Sequence, residues 1–242
     1  METILKTKVA DLVRTNYRTA EIFHQYHIDF CCNGDKTLYE ACKEKEVKVE
    51  ELLRELEQVM TQKDDFSSRV DSMSLSELVD YIIERHHSYV RKNIPILQEF
   101  LTKISRVHGD NHPELIEVKS LFDEGAGNLV MHMQKEEIIL FPYIKKLEEA
   151  ARQGTGKPHS PFGEVANPIR MMIVEHQTEG ERFERIASLT NNYSIPSDAC
   201  NTYSVSLQKL KEFEKDLHTH IHLENNILFP KTLELEKSLL NE

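Results

Sequence analysis

The pattern His-x-x-x-Glu-x-x-x-Leu-Phe-Pro occurs twice in the chain, as HMQKEEIILFP at residues 132–142 and as HIHLENNILFP at residues 220–230. A residue four positions further along an α-helix lies on the same face, about 6 Å along the helix axis. Each copy therefore places a histidine and a glutamate on one stripe of a helix, where both side chains can bind one metal ion. The doubled motif predicts two helices that carry metal ligands on matching faces.

A further histidine precedes each copy at nearly constant spacing. His87 lies 45 residues before His132, and His176 lies 44 residues before His220. A helix of about 20 residues, a turn and a second helix fill that span, so the unit is a duplicated helix pair. Two such helical hairpins form a four-helix bundle with these side chains inside. The predicted metal ligands are His87, His132, Glu136, His176, His220 and Glu224.

Composition supports an all-α fold and opposes several kinds of partner. The 242 residues include only 8 glycines and 8 prolines, and they are rich in glutamate, lysine and leucine, which favour helices. The formal net charge of −11 opposes binding to nucleic acid or to an anionic membrane surface. We find no signal-peptide core and no run of about 20 apolar residues. Together with four cysteines that do not form a secreted disulfide framework, this predicts a cytoplasmic protein.

Three parts are expected along the chain. Residues 1–60 contain short amphipathic helices around an adjacent pair of cysteines, which predicts a small helical domain. Residues 61–73 are polar and weakly periodic, and we expect a linker there. Residues 74–242 hold the four-helix bundle.

The bundle helices have recognisable starts. Ser74 and Glu77 form a capping box that opens the first helix. The second helix is expected to run from about Pro113, the third has Pro168 in its first turn, and the fourth begins near Asn201. Within the second and fourth helices, a proline follows each motif glutamate by six residues. Because helix-like sequence follows both prolines, we expect kinked helices rather than helix ends there.

The predicted ligand set fits two metal ions better than one. Imidazole and carboxylate ligands without thiolates suit divalent iron, manganese or zinc, and six ligands would overfill one tetrahedral zinc site. Two glutamates can instead each bridge a pair of ions while two histidines bind each ion. This arrangement leaves an open position where a small molecule can react.

The order of the ligands distinguishes this bundle from related ones. Ferritin-like di-iron proteins use Glu-x-x-His, whereas this chain uses His-x-x-x-Glu, and residues 75–240 resemble a hemerythrin-like domain. Oxygen-carrying hemerythrins use five histidines and two carboxylates. This chain has four histidines and two carboxylates at its repeat positions. The missing histidine argues against simple reversible oxygen carriage.

The N-terminal part extends the resemblance. The stretch HIDFCCNGDKTLYEAC at residues 27–42 is similar to the Cys-Cys domain that precedes the hemerythrin-like domain in iron-sulfur cluster repair di-iron proteins, the "repair of iron centers" family. The stretches MHMQKEEIILFP, VEHQTEG, NNYSIPSDAC and HLENNILFP are similar to that family's signatures. The resemblance implies two non-haem iron ions with an oxo or hydroxo bridge. It also implies that the four histidines are terminal ligands and that Glu136 and Glu224 are bridging ligands.

What the resemblance implies about function is repair or protection of iron-sulfur clusters damaged by nitric oxide or oxidative stress. The implied mechanisms are iron donation and redox handling of nitric oxide, so an oxidoreductase activity stays open. The implied partners are damaged iron-sulfur proteins, with nitric oxide or oxygen as small ligands, and a homodimer stays open. The alternative is a hemerythrin-like module that senses oxygen, nitric oxide or iron without repair. A sensor normally carries an output domain, and the sequence has a short Cys-Cys domain in its place.

Cys31 and Cys32 are the candidate catalytic residues, and three interpretations are open for them. They could form a redox pair, a transient ligand set for delivered iron, or two buried small residues in a tight turn. Cys42 and Cys200 are expected to be packing residues.

Several polar residues adjoin the predicted ligands but project from other helix faces, because adjacent residues are rotated by about 100°. They are His86, His218, His222, Glu137 and Glu175. For the two glutamates we favour surface charges over carboxylates near the iron. For the three histidines, a role as an outer supporting residue or as a substitute ligand stays open.

Overall fold

The structure, a computed structural model, describes residues 2–240, and over that range helices and their connections make up the fold. The all-α prediction is confirmed. Among the described helices, none combines the length and apolarity that a membrane crossing requires. The helices of the N-terminal part are α1 (Glu2–Leu5), α2 (Val9–Thr15), α3 (Thr19–Gln25), α4 (Leu38–Glu44), α5 (Val49–Met60) and α6 (Asp65–Ser72).

Four long helical segments form the bundle, and the first, second and fourth each contain a π-helical turn between two α-helices. In chain order they are α7 (Leu75–Ile82), a π turn (Ile83–His87) and α8 (Ser88–His108); α9 (Glu114–Lys135), a π turn (Glu136–Leu140) and α10 (Phe141–Gln153); α11 (Ala166–Leu189); and α12 (Asn201–Leu223), a π turn (Glu224–Leu228) and α13 (Phe229–Leu240). The predicted starts of all four segments agree with these bounds. The capping box is also present, since the Ser74 side chain accepts from the Glu77 N–H while the Glu77 carboxylate accepts from the Ser74 N–H.

Both motif prolines follow a π-helical turn, and the helix continues beyond each of them as expected. In such a turn the N–H donates to the carbonyl five residues earlier. Thus the Phe141 N–H donates to the Glu136 carbonyl, and the Phe229 N–H donates to the Glu224 carbonyl. The local distortion therefore begins at the motif glutamates themselves, and π turns inside α-helices are frequent at functional sites.

Residues 61–73 contain a helix, α6, where the sequence predicted a linker. Asp64 caps this helix, and its carboxylate also accepts a hydrogen bond of 2.6 Å from the Tyr17 N–H of the N-terminal part. Phe66 and Val70 pack on the core of the bundle. The segment therefore contacts both parts of the chain. Its helical pattern escaped the sequence analysis because a single apolar pair at i,i+4 carries it.

The apolar core has two clusters of buried side chains, and polar side chains lie between them. One cluster joins the N-terminal helices to α8, α9, α11 and α12, and the other joins α7, α10, α13 and the ends of the neighbouring helices. On the fourth segment, Leu217 and Ile221 belong to the first cluster and Leu228 to the second. His220 and Glu224 lie between them, so the motif residues occupy a buried polar layer.

Candidate metal centre

The predicted ligand side chains converge in that layer. Each of the six is at most 3% exposed. Their nitrogen and oxygen atoms form two groups, and within each group all donor atoms lie within 4.8 Å of one another. The first group contains His87 and His220, the second contains His132 and His176, and Glu136 and Glu224 belong to both.

Each shared carboxylate faces both groups, with one oxygen toward each. The four distances are 3.4 Å from Glu136 Oε2 to His87 Nε2, 3.3 Å from Glu136 Oε1 to His132 Nε2, 3.0 Å from Glu224 Oε1 to His220 Nε2 and 3.0 Å from Glu224 Oε2 to His176 Nε2. A carboxylate needs this arrangement to bridge two ions.

The histidine nitrogens of each group also face one another. His87 Nε2 lies 3.2 Å from His220 Nε2, and His132 Nε2 lies 3.0 Å from His176 Nε2. Two imidazole lone pairs at this separation repel each other unless a cation or a proton lies near both. A metal ion in each group relieves that repulsion.

Buried oxygens without hydrogen-bond partners fit a metal as well. Both carboxylate oxygens of Glu136 and Oε2 of Glu224 are buried without a hydrogen bond of acceptable geometry. A buried charged oxygen left unpaired is costly, so such atoms usually coordinate an ion. Nearby histidines hold the pKa of Glu224 well below its usual range despite its burial, which keeps it an anionic donor. The residues therefore fit a two-metal centre.

Outer hydrogen bonds orient three of the four histidines. Because carboxylate and amide oxygens accept, each Nδ1 carries the proton and each Nε2 lone pair points into the group. Such outer acceptors fix the ring and raise its basicity toward a metal. The three bonds are His87 Nδ1–H to Glu137 Oε1 at 2.6 Å, His132 Nδ1–H to Glu175 Oε2 at 2.8 Å and His176 Nδ1–H to Asn225 Oδ1 at 2.8 Å.

The expectation that Glu137 and Glu175 are surface charges is wrong. Each projects sideways on its own helix, but that side faces a histidine of the adjacent helix. Glu175 also accepts from Lys135, and the hydrogen bond from His132 together with that from Lys135 lowers the pKa of Glu175 to about 2. Both glutamates therefore support histidines of the predicted ligand set.

Asn225 is a site residue that the sequence analysis missed. The repeat nevertheless contains a signal for it, because the residue after each motif glutamate supports the lone histidine of its own repeat. In the first repeat Glu137 accepts from His87, and in the second Asn225 accepts from His176.

The two repeats differ around His220. The residue before the lone histidine is the carboxylate Glu175 in the second repeat and His86 in the first. His86 stacks on His220 with ring centroids 5.8 Å apart and an interplanar angle of 8°. Burial lowers the pKa of His86, and His220 Nδ1 has no hydrogen-bond partner. His220 is thus supported by stacking where His132 has a carboxylate.

His218 and His222 point away from the centre, as expected. Their rings meet Phe30 edge-on, with centroids 6.1 and 5.9 Å away. Asn226 Nδ2 donates to His222 Nδ1 at 3.0 Å, and burial lowers the pKa of His222 to about 3. Both histidines pack the N-terminal part against α12.

Cys31 and Cys32 lie in a loop that Asp29 organises. The Asp29 carboxylate accepts from the backbone N–H groups of Cys31, Cys32 and Asn33. The two thiols are unlinked, with the sulfur atoms 3.7 Å apart. The contact with Cys32 and burial raise the pKa of the Cys31 thiol. Cys42 is buried, as expected, whereas Cys200 is exposed before the first turn of α12, contrary to its predicted packing role.

The cysteine loop contacts the centre directly. Cys32 Sγ lies 3.5 Å from the His176 carbonyl oxygen. Asn225 Nδ2 donates to the Cys31 carbonyl at 3.1 Å, while its Oδ1 accepts from His176. One amide side chain therefore joins the loop to a predicted ligand. A cavity of about 740 Å³ borders both cysteines.

A second cavity, of about 230 Å³, opens on the second group. His132, His176 and Glu175 border it, and Met131 and Thr178 lie at its outer side. The cavity gives a small molecule or an ion a path between the bundle surface and the two histidines.

Glu179 lines this cavity and forms a buried ion pair with Arg182. The Glu179 carboxylate accepts from Asn128 Nδ2 at 3.1 Å and from Arg182 Nε at 3.0 Å, and Arg182 also donates to Glu124 at 3.0 Å. Gly125 makes room for the pair, since a β-carbon there would lie 2.7 Å from Glu179 Oε2 and 2.7 Å from Arg182 Cδ.

Gly125→Ala is therefore expected to destabilise the protein by about 1–3 kcal/mol through overpacking, although alanine favours helices. Gly127→Ala is the matched control on the same helix, because a β-carbon there meets nothing within 4 Å. In the control, the higher helix propensity of alanine should raise the free energy of unfolding by up to about 1 kcal/mol. Urea unfolding measures both. Equal stabilisation by the two substitutions would contradict the close packing around the ion pair.

Comparisons with known proteins agree with the sequence resemblance. Residues 78–232 match the hemerythrin HHE cation-binding domain, and residues 5–60 match a domain of unknown function, DUF542. Similar proteins include the iron-sulfur cluster repair protein ScdA of Staphylococcus haemolyticus, 33% identical over 92% of this chain and 96% of that protein. A probable iron-sulfur cluster repair protein of Haemophilus influenzae is 34% identical over 93% and 96%, and the iron-sulfur cluster repair protein YtfE of an Enterobacter species is 36% identical over 93% and 96%. The chain therefore belongs to the family of iron-sulfur cluster repair proteins that contain a hemerythrin HHE cation-binding domain.

Proposed function

We propose that this protein repairs or protects iron-sulfur clusters damaged by nitric oxide or oxidative stress, and that it does so with a di-iron centre. The observation that carries the proposal is the pair of buried histidine groups that share two carboxylates. The relatives are named for cluster repair, which favours repair over the sensing alternative. Damaged iron-sulfur proteins are the proposed partners, and nitric oxide or oxygen the proposed small ligands.

In this proposal two non-haem iron ions are the cofactor. His87 and His220 would hold one ion and His132 and His176 the other, while Glu136 and Glu224 would each offer one oxygen to either ion. Bound in this way, the irons supply exchangeable ferrous iron and an open position for a diatomic ligand.

The chain's own residues orient the ligands and cover two sides of the site. The outer acceptors keep the proton on Nδ1, so that Nε2 stays a free donor. Phe141 stacks on His87, and Phe229 stacks on His176, so aromatic rings cover the site from two sides. Ligation by nitrogen and oxygen lets ferrous iron leave more readily than a thiolate cage would. The cavity beside His132 and His176 is the proposed route for that iron.

We also propose a division of labour along the chain, with residues 1–60 as a Cys-Cys domain, 61–73 as the connection and 74–242 as the di-iron domain. Cys31 and Cys32 have a redox or iron-transfer role in this proposal, because their loop contacts the His176 carbonyl. Redox handling of nitric oxide would use the same centre.

Reactivation of a damaged enzyme tests the proposal. An iron-sulfur hydratase is inactivated with nitric oxide and then incubated anaerobically with the iron-loaded protein. We expect the hydratase to regain activity while the protein loses iron or changes its optical spectrum. A hydratase that stays inactive with the loaded protein, yet recovers with free ferrous iron and thiol, would refute repair.

Alanine at both Cys31 and Cys32 is expected to leave the iron content unchanged and to reduce hydratase reactivation to background. Iron content should not change because neither thiol belongs to the two predicted ligand groups. Reactivation should fall because the proposed redox or iron-transfer role of the thiols is lost. Cys200→Ala is the control, since that thiol is exposed and far along the chain from the loop. Full reactivation by the double variant, with iron loading intact, would remove the cysteines from the mechanism.

A further inference from the structure

Exposed apolar side chains lie on the two helical segments that border the smaller cavity. Met131, Ile138, Met171 and Val174 are 63%, 73%, 57% and 63% exposed. We call these four side chains the apolar patch. Contiguous exposed apolar patches are uncommon on soluble proteins and often mark interaction sites.

The contacts between two helical segments place the patch on one face. The segments run antiparallel, and the Lys135–Glu175 ion pair joins them. The pairs Asn128–Glu179 and Lys135–Glu175 fix the register of the two segments, and they set Ile138 level with Met171. Val174 follows Met171 by three residues on the same face of α11. Met131 lies one turn from Lys135 in the other direction and lines the cavity.

We propose that a damaged iron-sulfur protein docks on the apolar patch, an inference that rests on the proposed repair function. Met131 of the patch lines the smaller cavity, which also borders His132 and His176. A partner seated on the patch would therefore lie beside the cavity that borders these two histidines.

The charge of the patch supports an encounter with another protein. Lys135 and Glu175 lie between its apolar side chains and neutralise each other, whereas the whole chain carries a net charge of −11. The patch is therefore a locally neutral area on an acidic protein. A partner of either net charge can bind there without strong electrostatic repulsion.

The size of the patch favours a transient partner over a second copy of this chain. Seven residues of helix span about 10 Å, and packed helices lie about 10 Å apart. A stable complex buries about 800 Å² on each partner, far more than such a patch offers.

The test is a double variant, Ile138→Gln with Met171→Gln. Glutamine is a good helix former and leaves the net charge unchanged. The matched control is Val107→Gln with Ile116→Gln, because both side chains are 60% exposed. Ile116 precedes Ile138 by 22 residues, or about 33 Å of helix.

Three quantities are measured on the iron-loaded proteins: iron content, the rate of iron release to a small ferrous chelator, and the KM for reactivating a nitric-oxide-damaged hydratase. We expect the patch variant to have the wild-type iron content and the wild-type rate of iron release. Its KM should rise about tenfold, because loss of central contacts weakens binding at interfaces. The control variant should match the wild type in all three.

Other outcomes would overturn the docking proposal. An unchanged KM in the patch variant, or equal changes in both variants, removes the patch from partner binding. A wild-type dimer in sedimentation analysis that the patch variant converts to monomer would assign the face to a second copy. If the wild type releases iron to the chelator but reactivates no hydratase, the repair function itself fails and its docking partner with it.

Discussion

Replacing Glu136 with leucine is expected to remove both metal ions from most chains. Glu136 offers one oxygen to each histidine group, so one substitution takes a ligand from both sites. Loss of an outer supporting residue alone weakens metal binding about 10- to 100-fold, and loss of a bridging ligand should exceed this. Leucine is similar in size and suits a fully buried position, so the bundle should still fold.

Metal analysis of anaerobically purified protein measures this effect, and circular dichroism checks the fold. The control is His159→Ala, because His159 is exposed in the loop before α11 and touches none of the ligand atoms. It should retain the wild-type metal content. Equal iron in the two variants would overturn the ligand assignment.

Asn225→Ala is the second substitution with a large expected effect, because this amide serves two neighbours. It accepts from His176 Nδ1 and donates to the Cys31 carbonyl. Without it His176 loses its orientation, and metal affinity should fall about 10- to 100-fold. The cysteine loop also loses a tether, so Cys31 and Cys32 should react faster with an alkylating reagent.

Asn226→Ala separates the two effects. Asn226 donates to the Phe30 carbonyl and to His222, so it tethers the same loop without touching a predicted ligand. We expect faster alkylation in this variant with unchanged metal affinity. Metal affinity that falls equally in both variants would mean that the loop, and not the bond to His176, controls the centre.

The fold class and the six inner residues could be predicted because the sequence repeats them. One His-x-x-x-Glu pair on a helix is commonly a solvated pair. A second copy with a matched upstream histidine adds a spacing that only a duplicated helix pair explains. Burial of all six side chains agrees with that explanation.

The grouping of the histidines could not be read from the sequence. His87 pairs with His220 from the other repeat, and His132 pairs with His176, because adjacency between helices decides which rings meet. Glu175 was misjudged for the same reason. The Glu175 side chain contacts His132 on a neighbouring helix. Helical periodicity describes one helix at a time and so does not reveal such a contact.

Local backbone chemistry explains the other differences. The π turns that begin at Glu136 and Glu224 need one hydrogen bond shifted by a residue, and hydrophobic spacing does not specify such a shift. Within the expected linker, Asp65–Ser72 fold as a helix because Asp64 caps it and two apolar side chains pack on the bundle core. The helix in the expected linker therefore depends on tertiary contacts as well as on its local cap.

The most direct test of the central claim is the iron content and optical spectrum of the protein purified without oxygen, before and after exposure to oxygen and nitric oxide. The two groups that share Glu136 and Glu224 predict about two iron ions per chain and the absorption of an oxo-bridged diferric centre after oxidation. Protein that contains no iron, or a single zinc ion, would contradict the di-iron centre.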